Sequence, residues 1–290
     1  MPSTKDIKRR IVSVKNTKQI TKAMKMVSAV KLRKAQMNVI QSRPYAQRML
    51  NVIANIAAAQ TVKHPLLETN KDVKKVLLVV LTSDRGLCGS FNSSIQKFTE
   101  RYFFDNKSKV EKIDFFFVGR KASEYMKKHR VNNIHVLLNL AREISYDLAA
   151  STAQQLLEKF LEGQYDEIRL IYNEFKSAIS QNVVCETLLP IDLSKATLNE
   201  ATGTAEYIFE PRAFTIIEQL LRKHFAVHVY RCMSESIAAE HGARMTAMEN
   251  ATKNADEMIR KMTVAYNKAR QAGITKELIE ICSGAEALKG

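Results

Sequence analysis

A chain of 290 residues with 46% hydrophobic content can bury one sizeable core and carry a second unit beside it. No apolar run approaches the roughly eighteen residues that a membrane span requires. Cys88, Cys185, Cys232 and Cys282 lie far apart with no CxxC pair, which fits neither a zinc site nor a small disulfide scaffold and suits a reducing compartment. The net charge of +15 is lopsided, because residues 1–50 hold thirteen Lys and Arg against the single acid Asp6. That amino end lacks the apolar core of a secretory signal and is expected to be mature structure.

From about Ser3 to Ala59 there is no Gly, Pro44 is the one internal Pro, and good helix formers dominate, so a very long helix is predicted, with Pro44 as the place for a kink. Ile7, Ile11 and Val14 share one side of it. Ile20, Met24, Val27 and Val30 fall nearly opposite, which predicts more than one neighbour.

Next come short apolar runs, at 75–83, 113–119, 167–175 and 182–191, predicted as strands. Helical stretches near 91–104, 121–130 and 146–162 separate them. This alternation predicts a compact α/β domain, mostly parallel, inserted between two helices. After Pro211 a second long helix is expected, interrupted at Gly242 and pausing at Gly273 before Ile274, Leu278, Ile281 and Ala285 resume helical spacing. Within it Met248, Ala251, Ala255, Met258, Met262, Ala265 and Ala269 alternate by three and four, a coiled-coil seam. Its small or flexible residues allow close approach of a partner, for which the amino-terminal helix, folded back antiparallel, is the nearest candidate. The fold class is α/β: a long antiparallel two-helix coiled coil from both termini plus an inserted Rossmann-like domain. The expected parts are 1–60, 70–195 and 206–290.

The stretch "LTSDRGLCGSFN" (81–92) sits between a strand and a helix, where phosphate loops and nucleophile elbows occur. It has neither GxGxxG nor a Lys-Ser/Thr after its last Gly, so nucleotide binding is disfavoured. Cys88 is a candidate nucleophile whose pKa a helix amino terminus would depress, and a cysteine-dependent hydrolase is one alternative reading. No histidine among His129, His135, His224, His228 and His241 comes with an acid that would mark it as an oriented base. The basic helix permits a second alternative, a coiled-coil nucleic-acid-binding protein. Against it, the basic residues ring the helix, and no aromatic residue precedes Tyr45. His224 and His228 stand four apart, the spacing of a zinc pair, with Cys232 a further four on, but no third ligand is suggested and no metal is expected.

Three blocks, "DIKRRIVSVKNTKQITKAMKMVSAVKLRKAQ", "SDRGLCGSFN" and "YNKARQAGITKELIEICSGAEAL", give the chain a strong resemblance, over nearly its whole length, to the γ subunits of F-type ATP synthases. The resemblance implies a central rotor stalk: terminal helices forming an asymmetric coiled coil inside a ring of α and β subunits, with the α/β domain outside near the membrane. Ion flow through the c ring would turn the stalk and drive the catalytic β sites in sequence. No cofactor, no metal, no nucleic acid and no catalytic residue of its own are implied.

By the same resemblance, Arg270, Gln271 and Thr275 match positions that hydrogen-bond a loop of β, and Met24 with Lys25 lies where the shaft passes the acidic β lever. Ile274, Leu278 and Ile281 suit a tip turning in a hydrophobic bearing. "SRPYA", with Arg43 and Tyr45, and "YIFEP", with Tyr207 and Glu210, match the foot that meets the c ring and the ε subunit. The region from Asp192 to Ala205 lacks the cysteine-containing insert of chloroplast members, so thiol switching is not expected. Together with the lack of a recognisable transit peptide, this implies a bacterial protein, peripheral on the cytoplasmic side of the plasma membrane and held there only through the complex.

Overall fold

A computed structural model describes residues 3–60, 64–68, 72–138, 144–177, 180–193 and 213–287. In chain order the elements are α1 (Thr4–Gln60), β1 (Lys75–Leu81), α2 (Phe91–Asn106), β2 (Lys112–Val118), α3 (Arg120–Met126) with one following 3-10 turn (Lys127–His129), β3 (Asn132–Leu137), α4 (Tyr146–Leu161), β4 (Glu167–Phe175), β5 (Gln181–Leu189) and α5 (Ala213–Ala287). The chain divides into two compact units: Met1–Ser28 with Met245–Gly290, and Ala29–Arg244. No helix among the described residues is long and apolar enough to cross a membrane.

The larger unit is built on a five-stranded sheet of order β3-β2-β1-β4-β5, with β1 to β4 parallel and β5 antiparallel at the edge. Helices cover both faces, so the central strands read as unbroken apolar runs rather than alternating ones. Val76, Leu78 and Val80 of β1 join Phe115 and Phe117 of β2, Phe91 and Ile95 of α2, and Ala122 and Met126 of α3 in one buried cluster. The rings of Phe115 and Phe117 stack at 5.4 Å. At the opposite end of β2 the buried Asp114 accepts from Tyr165 Oη (2.6 Å), Lys112 Nζ (2.7 Å) and Asn132 Nδ2 (2.8 Å). Burial alone would raise its pKa, but these three donors outweigh it and hold the carboxyl below the usual range.

Strand β3 was not predicted. It carries Asn132, Asn133 and His135, lies at the sheet edge, and pairs with β2 across a register shift at Phe115/Phe116, so neither its composition nor its register follows a regular strand pattern.

Both long helices are less interrupted than predicted. Helix α1 continues through Pro44, giving up only the bond its nitrogen cannot donate to the Ile40 carbonyl. Helix α5 runs 75 residues through Gly242 and Gly273 with no pause. A helical Gly costs about 1 kcal/mol relative to Ala, and the good helix formers around Gly273 outweigh it.

Helix α1 buries a single stripe rather than two opposed ones. A continuous stripe of less exposed residues runs through 7, 11, 14, 18, 21, 25, 28, 32, 35, 39, 42, 46, 49, 53 and 56 in steps of four and three, and from Leu50 to Ile56 burial spreads beyond it to take in Ala54. Of the four residues predicted to face another neighbour, Ile20, Val27 and Val30 are 61%, 59% and 71% exposed and Met24 is half-buried. In the larger unit α5 is buried on every side from Cys232 to Gly242. Small residues there, Ser234, Ser236, Ala238, Ala239 and Gly242, let surrounding elements approach closely.

Candidate functional site

In the smaller unit the two terminal segments pack together as an antiparallel pair. Lys18 meets Asp256 at 2.5 Å, Thr21 Oγ1 and Thr252 Oγ1 share a hydrogen bond of 2.8 Å, and Lys25 meets Glu249 at 3.3 Å, so the partner numbers fall as α1 advances. On α5 the seam runs through Met248, Thr252, Ala255, Ile259, Met262, Tyr266 and Ala269. Met248, Ala255, Met262 and Ala269 were predicted. Of the other three, Met258 and Ala265 are exposed and Ala251 is only part-buried at the rim, because the stripe begins its three-four alternation with a step of four and so takes Thr252, Ile259 and Tyr266.

Polar residues sit at the heart of this seam. Thr21 and Ser28 are buried, Thr252 is half-buried, and both flanking ion pairs are substantially open to water, where such pairs contribute only about 0.2–1 kcal/mol. Met24 and Lys25 are half-buried, and the Lys25 ammonium is already engaged by Glu249. Around the seam Lys8, Arg9, Arg10, Lys15 and Lys22 face solvent, interleaved with exposed Val12, Ile20, Met26 and Val27.

Towards its carboxyl end α5 exposes Arg270, Gln271 and Thr275, and the Thr275 hydroxyl donates to the Gln271 carbonyl at 2.9 Å. Ile274, Leu278 and Ile281 are 51%, 57% and 68% exposed, an apolar strip with no cover among the described residues. Tyr45 is exposed beside a groove lined also by Tyr146 and Tyr230. The Arg43 side chain, and Tyr207 and Glu210 entirely, lie outside the described residues, as does most of the 192–205 region.

The 81–92 loop carries neither of the two chemistries weighed for that position. Arg244 of α5 donates from Nη2 to the carbonyls of Arg85 (3.5 Å) and Gly86 (3.3 Å) and from Nη1 to Glu240 Oε1 (2.6 Å). A phosphate cradle presents backbone N–H groups; here carbonyl oxygens turn towards a guanidinium. Cys88 is buried, with Asn92 Nδ2 donating to its sulfur at 3.2 Å. Burial pushes its thiol pKa up, against the depression expected from a helix terminus, and among the described residues no imidazole hydrogen-bonds it. Both changes disfavour a thiolate nucleophile.

A cleft of about 600 Å³ in the larger unit is lined by Glu174, Glu186, Asp192, His224, His228 and Arg231 among others. Burial, with His228 and Arg231 nearby, lowers the His224 pKa to about 4. Glu186 of β5 meets His228 at 3.0 Å, and with Cys232 the two bring a carboxylate oxygen, a ring nitrogen and a sulfur within 4.8 Å of one another, a group that does not include the His224 of the sequence pair.

The sequence model of the family described as ATP synthase matches residues 3–288. The ATP synthase gamma chain of Bdellovibrio bacteriovorus is 58% identical over 295 residues, with both chains fully covered. That of Geobacter sp. strain M21 is 48% identical, again with full coverage of both. A chain in the central stalk/c-ring structure of the Tetrahymena thermophila mitochondrial ATP synthase is 31% identical, with TM-score 0.60 over 80% of this chain and 99% of that one. A chain in the OSCP/F1/c-ring structure of the Euglena gracilis enzyme shares the fold at TM-score 0.68 and 22% identity, covering 98% and 94%. With one family spanning nearly every residue and an end-to-end relative at 58% identity, the chain belongs to the ATP synthase gamma chain family.

Proposed function

We propose that the chain is the central rotating stalk of an F-type ATP synthase, coupling ion flow through a membrane c ring to the conformations of catalytic β subunits. The observation that carries this reading is the antiparallel pair of unlike helices, one strongly basic, ending in an apolar strip that the described residues leave uncovered. A shaft that favoured all conformations of its neighbours equally would bias none of them. Here the surface differs with direction: Ile20 and Val27 on one side of α1, lysines and arginines on others, α5 on a third. Three identical β subunits around it would each meet a different face.

The α and β subunits are the proposed neighbours of the smaller unit, and ε and the c ring those of the foot that includes Tyr45. Exposed basic side chains attract surrounding carboxylates from several directions, each pair weak enough to exchange as the shaft turns. Ile274, Leu278 and Ile281 form the bearing surface, where apolar contact holds no single angle. Chemistry resides on β, and the stalk contributes no catalytic group. It is held peripherally at the cytoplasmic face of a bacterial plasma membrane through the complex.

Co-expression with α and β subunits tests the assignment: a complex that hydrolyses ATP only when this chain is included supports it, and failure of the chain to enter the complex rejects it. Arg270→Ala and Gln271→Ala are each expected to lower turnover about ten-fold, equivalent to about 1.4 kcal/mol in the rate-limiting barrier. Both residues are exposed, so chain stability should move by no more than about 0.5 kcal/mol. Unchanged turnover would remove them from the contact set. Met24→Lys adds a cation one residue from Lys25, whose charge Glu249 already engages. The extra attraction to an acidic β lever holds one angle too firmly, and ions pumped per ATP should fall by about half while hydrolysis continues. Full pumping in membrane vesicles carrying this variant would rule out that contact.

A further inference from the structure

We propose that the chain binds one zinc-class divalent cation through Glu186, His228 and Cys232, the incoming ion displacing the Arg231 guanidinium. The Glu186 carboxylate, the His228 imidazole and the Cys232 sulfur lie within 4.8 Å of one another, although they come from β5 and two successive turns of α5. Arg231 Nη2 stands among them, 3.0 Å from His228 Nε2, 3.5 Å from each Glu186 oxygen and 3.7 Å from Cys232 Sγ. The site is thus already built around a positive charge.

Bonds of about 2.0–2.3 Å to a tetrahedral ion set the ligand atoms about 3.5 Å apart, so the three donors close by about 1 Å, within the reach of side-chain rotation. Arg231 has somewhere to go. Its Nη1 is 3.3 Å from Glu235 Oε1, and the adjoining cleft presents Glu174 and Asp192. Tyr172 Oη donates to Glu186 Oε2 at 3.2 Å, which orients the carboxylate and leaves Oε1 towards His228. Water or the cleft beside the site would complete the coordination, since three protein donors leave a fourth position open. A thiolate, an imidazole and a carboxylate together favour zinc over magnesium or calcium. On binding, Cys232 coordinates as the thiolate and His228 as the neutral ring, so every proton these two groups carry is released to solvent. The bound ion would tie the edge strand of the sheet to α5.

The test uses the full-length chain with cobalt(II) as the probe. A one-to-one complex with thiolate-to-cobalt absorption in the near ultraviolet, bleached by zinc, is expected. Cys232→Ser should abolish that band, His228→Gln and Glu186→Gln should each weaken binding about ten-fold or more, and Cys282→Ser should leave it unchanged. Arg231→Met should tighten binding, since a competing cation is gone. Zinc should raise the thermal midpoint of the wild type and of Cys282→Ser but not of Cys232→Ser, a reading that needs no comparison among less stable variants. No near-ultraviolet band in the wild type, or a band that survives Cys232→Ser, overturns the site. Unaltered affinity in Arg231→Met overturns the displacement.

Discussion

Gly119→Ala is expected to cost at least about 4 kcal/mol and to leave little soluble chain. Gly119 directly follows β2 with φ +91 and ψ 147, a conformation that essentially only glycine adopts. A Cβ there would lie 2.0 Å from the Thr82 carbonyl oxygen and 2.6 Å from its carbon. Neither side can retreat. Thr82 N donates to the Val118 carbonyl at 2.7 Å, Gly119 N donates to that of Leu137 at 2.8 Å, and the Thr82 hydroxyl accepts from Ala122 N at 3.0 Å. The clash would push apart the ends of β1, β2 and β3 together. Gly163→Ala is the control, because Gly163 also has positive φ, +71, but meets nothing within 4 Å, and should cost about 1 kcal/mol. Urea denaturation followed by circular dichroism compares the two, and equal losses would show that the Thr82 contact is not the cause.

The parts of the fold that sequence could announce were those with one dominant physical signal. "KVLLVVL" and "FFFV" are apolar without alternation because helices cover both faces of the sheet, and they were recognisable as strands for that reason. Strand β3 gave no such signal, since Asn132 contributes its amide to Asp114 and the strand is only half-covered at the edge. The α1 stripe was hidden differently. Its positions include Lys18, Thr21, Lys25, Ser28, Ser42 and Ala46, so apolar residues off the stripe, Ile20, Val27 and Val30, dominated the helical wheel. Ile7, Ile11 and Val14 announced the start of the seam, but its stretch from Lys18 to Ser28, made of lysine stems and small hydroxyls, cannot be found by looking for hydrophobic side chains.

The proposed contact surfaces divide in the same way. Ile274, Leu278 and Ile281 were visible from helical spacing alone, and their exposure in the single chain is what a partner-facing strip requires. Arg270 and Gln271 carry no periodic signal and were reached only through resemblance. Contacts between distant segments were invisible: Glu186 is 42 residues from His228, and Arg85 is 159 from Arg244. The first sets Glu186 beside His228 and Cys232, and the second makes the carbonyls of the 81–92 loop acceptors for a guanidinium.

That second contact supports the other large expected effect. Arg244 and Glu240 are both buried, 2.6 Å apart, and burial raises the Glu240 pKa even with Arg244 opposing it. Arg244→Met strands the carboxylate and should cost about 3–5 kcal/mol at neutral pH. The Glu240→Leu, Arg244→Met double variant should recover at least about half of that loss, because no charge is left unpaired, while the bonds to the Arg85 and Gly86 carbonyls stay broken. The pH dependence has a definite sign. Without Arg244 the folded-state pKa of Glu240 rises further above its unfolded value of about 4.3, so the protonated form is the one the fold tolerates. The penalty is smallest below that unfolded value and grows as pH rises through the folded one. His241, held low by burial, Arg244 and Lys31, also links stability to pH because its unfolded form takes up a proton as pH falls, but both variants keep His241 and lack Arg244, so this contribution is common to the two curves. Unfolding free energies measured from acidic to neutral pH should therefore diverge between Arg244→Met and the double variant. Parallel curves would mean that Glu240 is not the group left stranded.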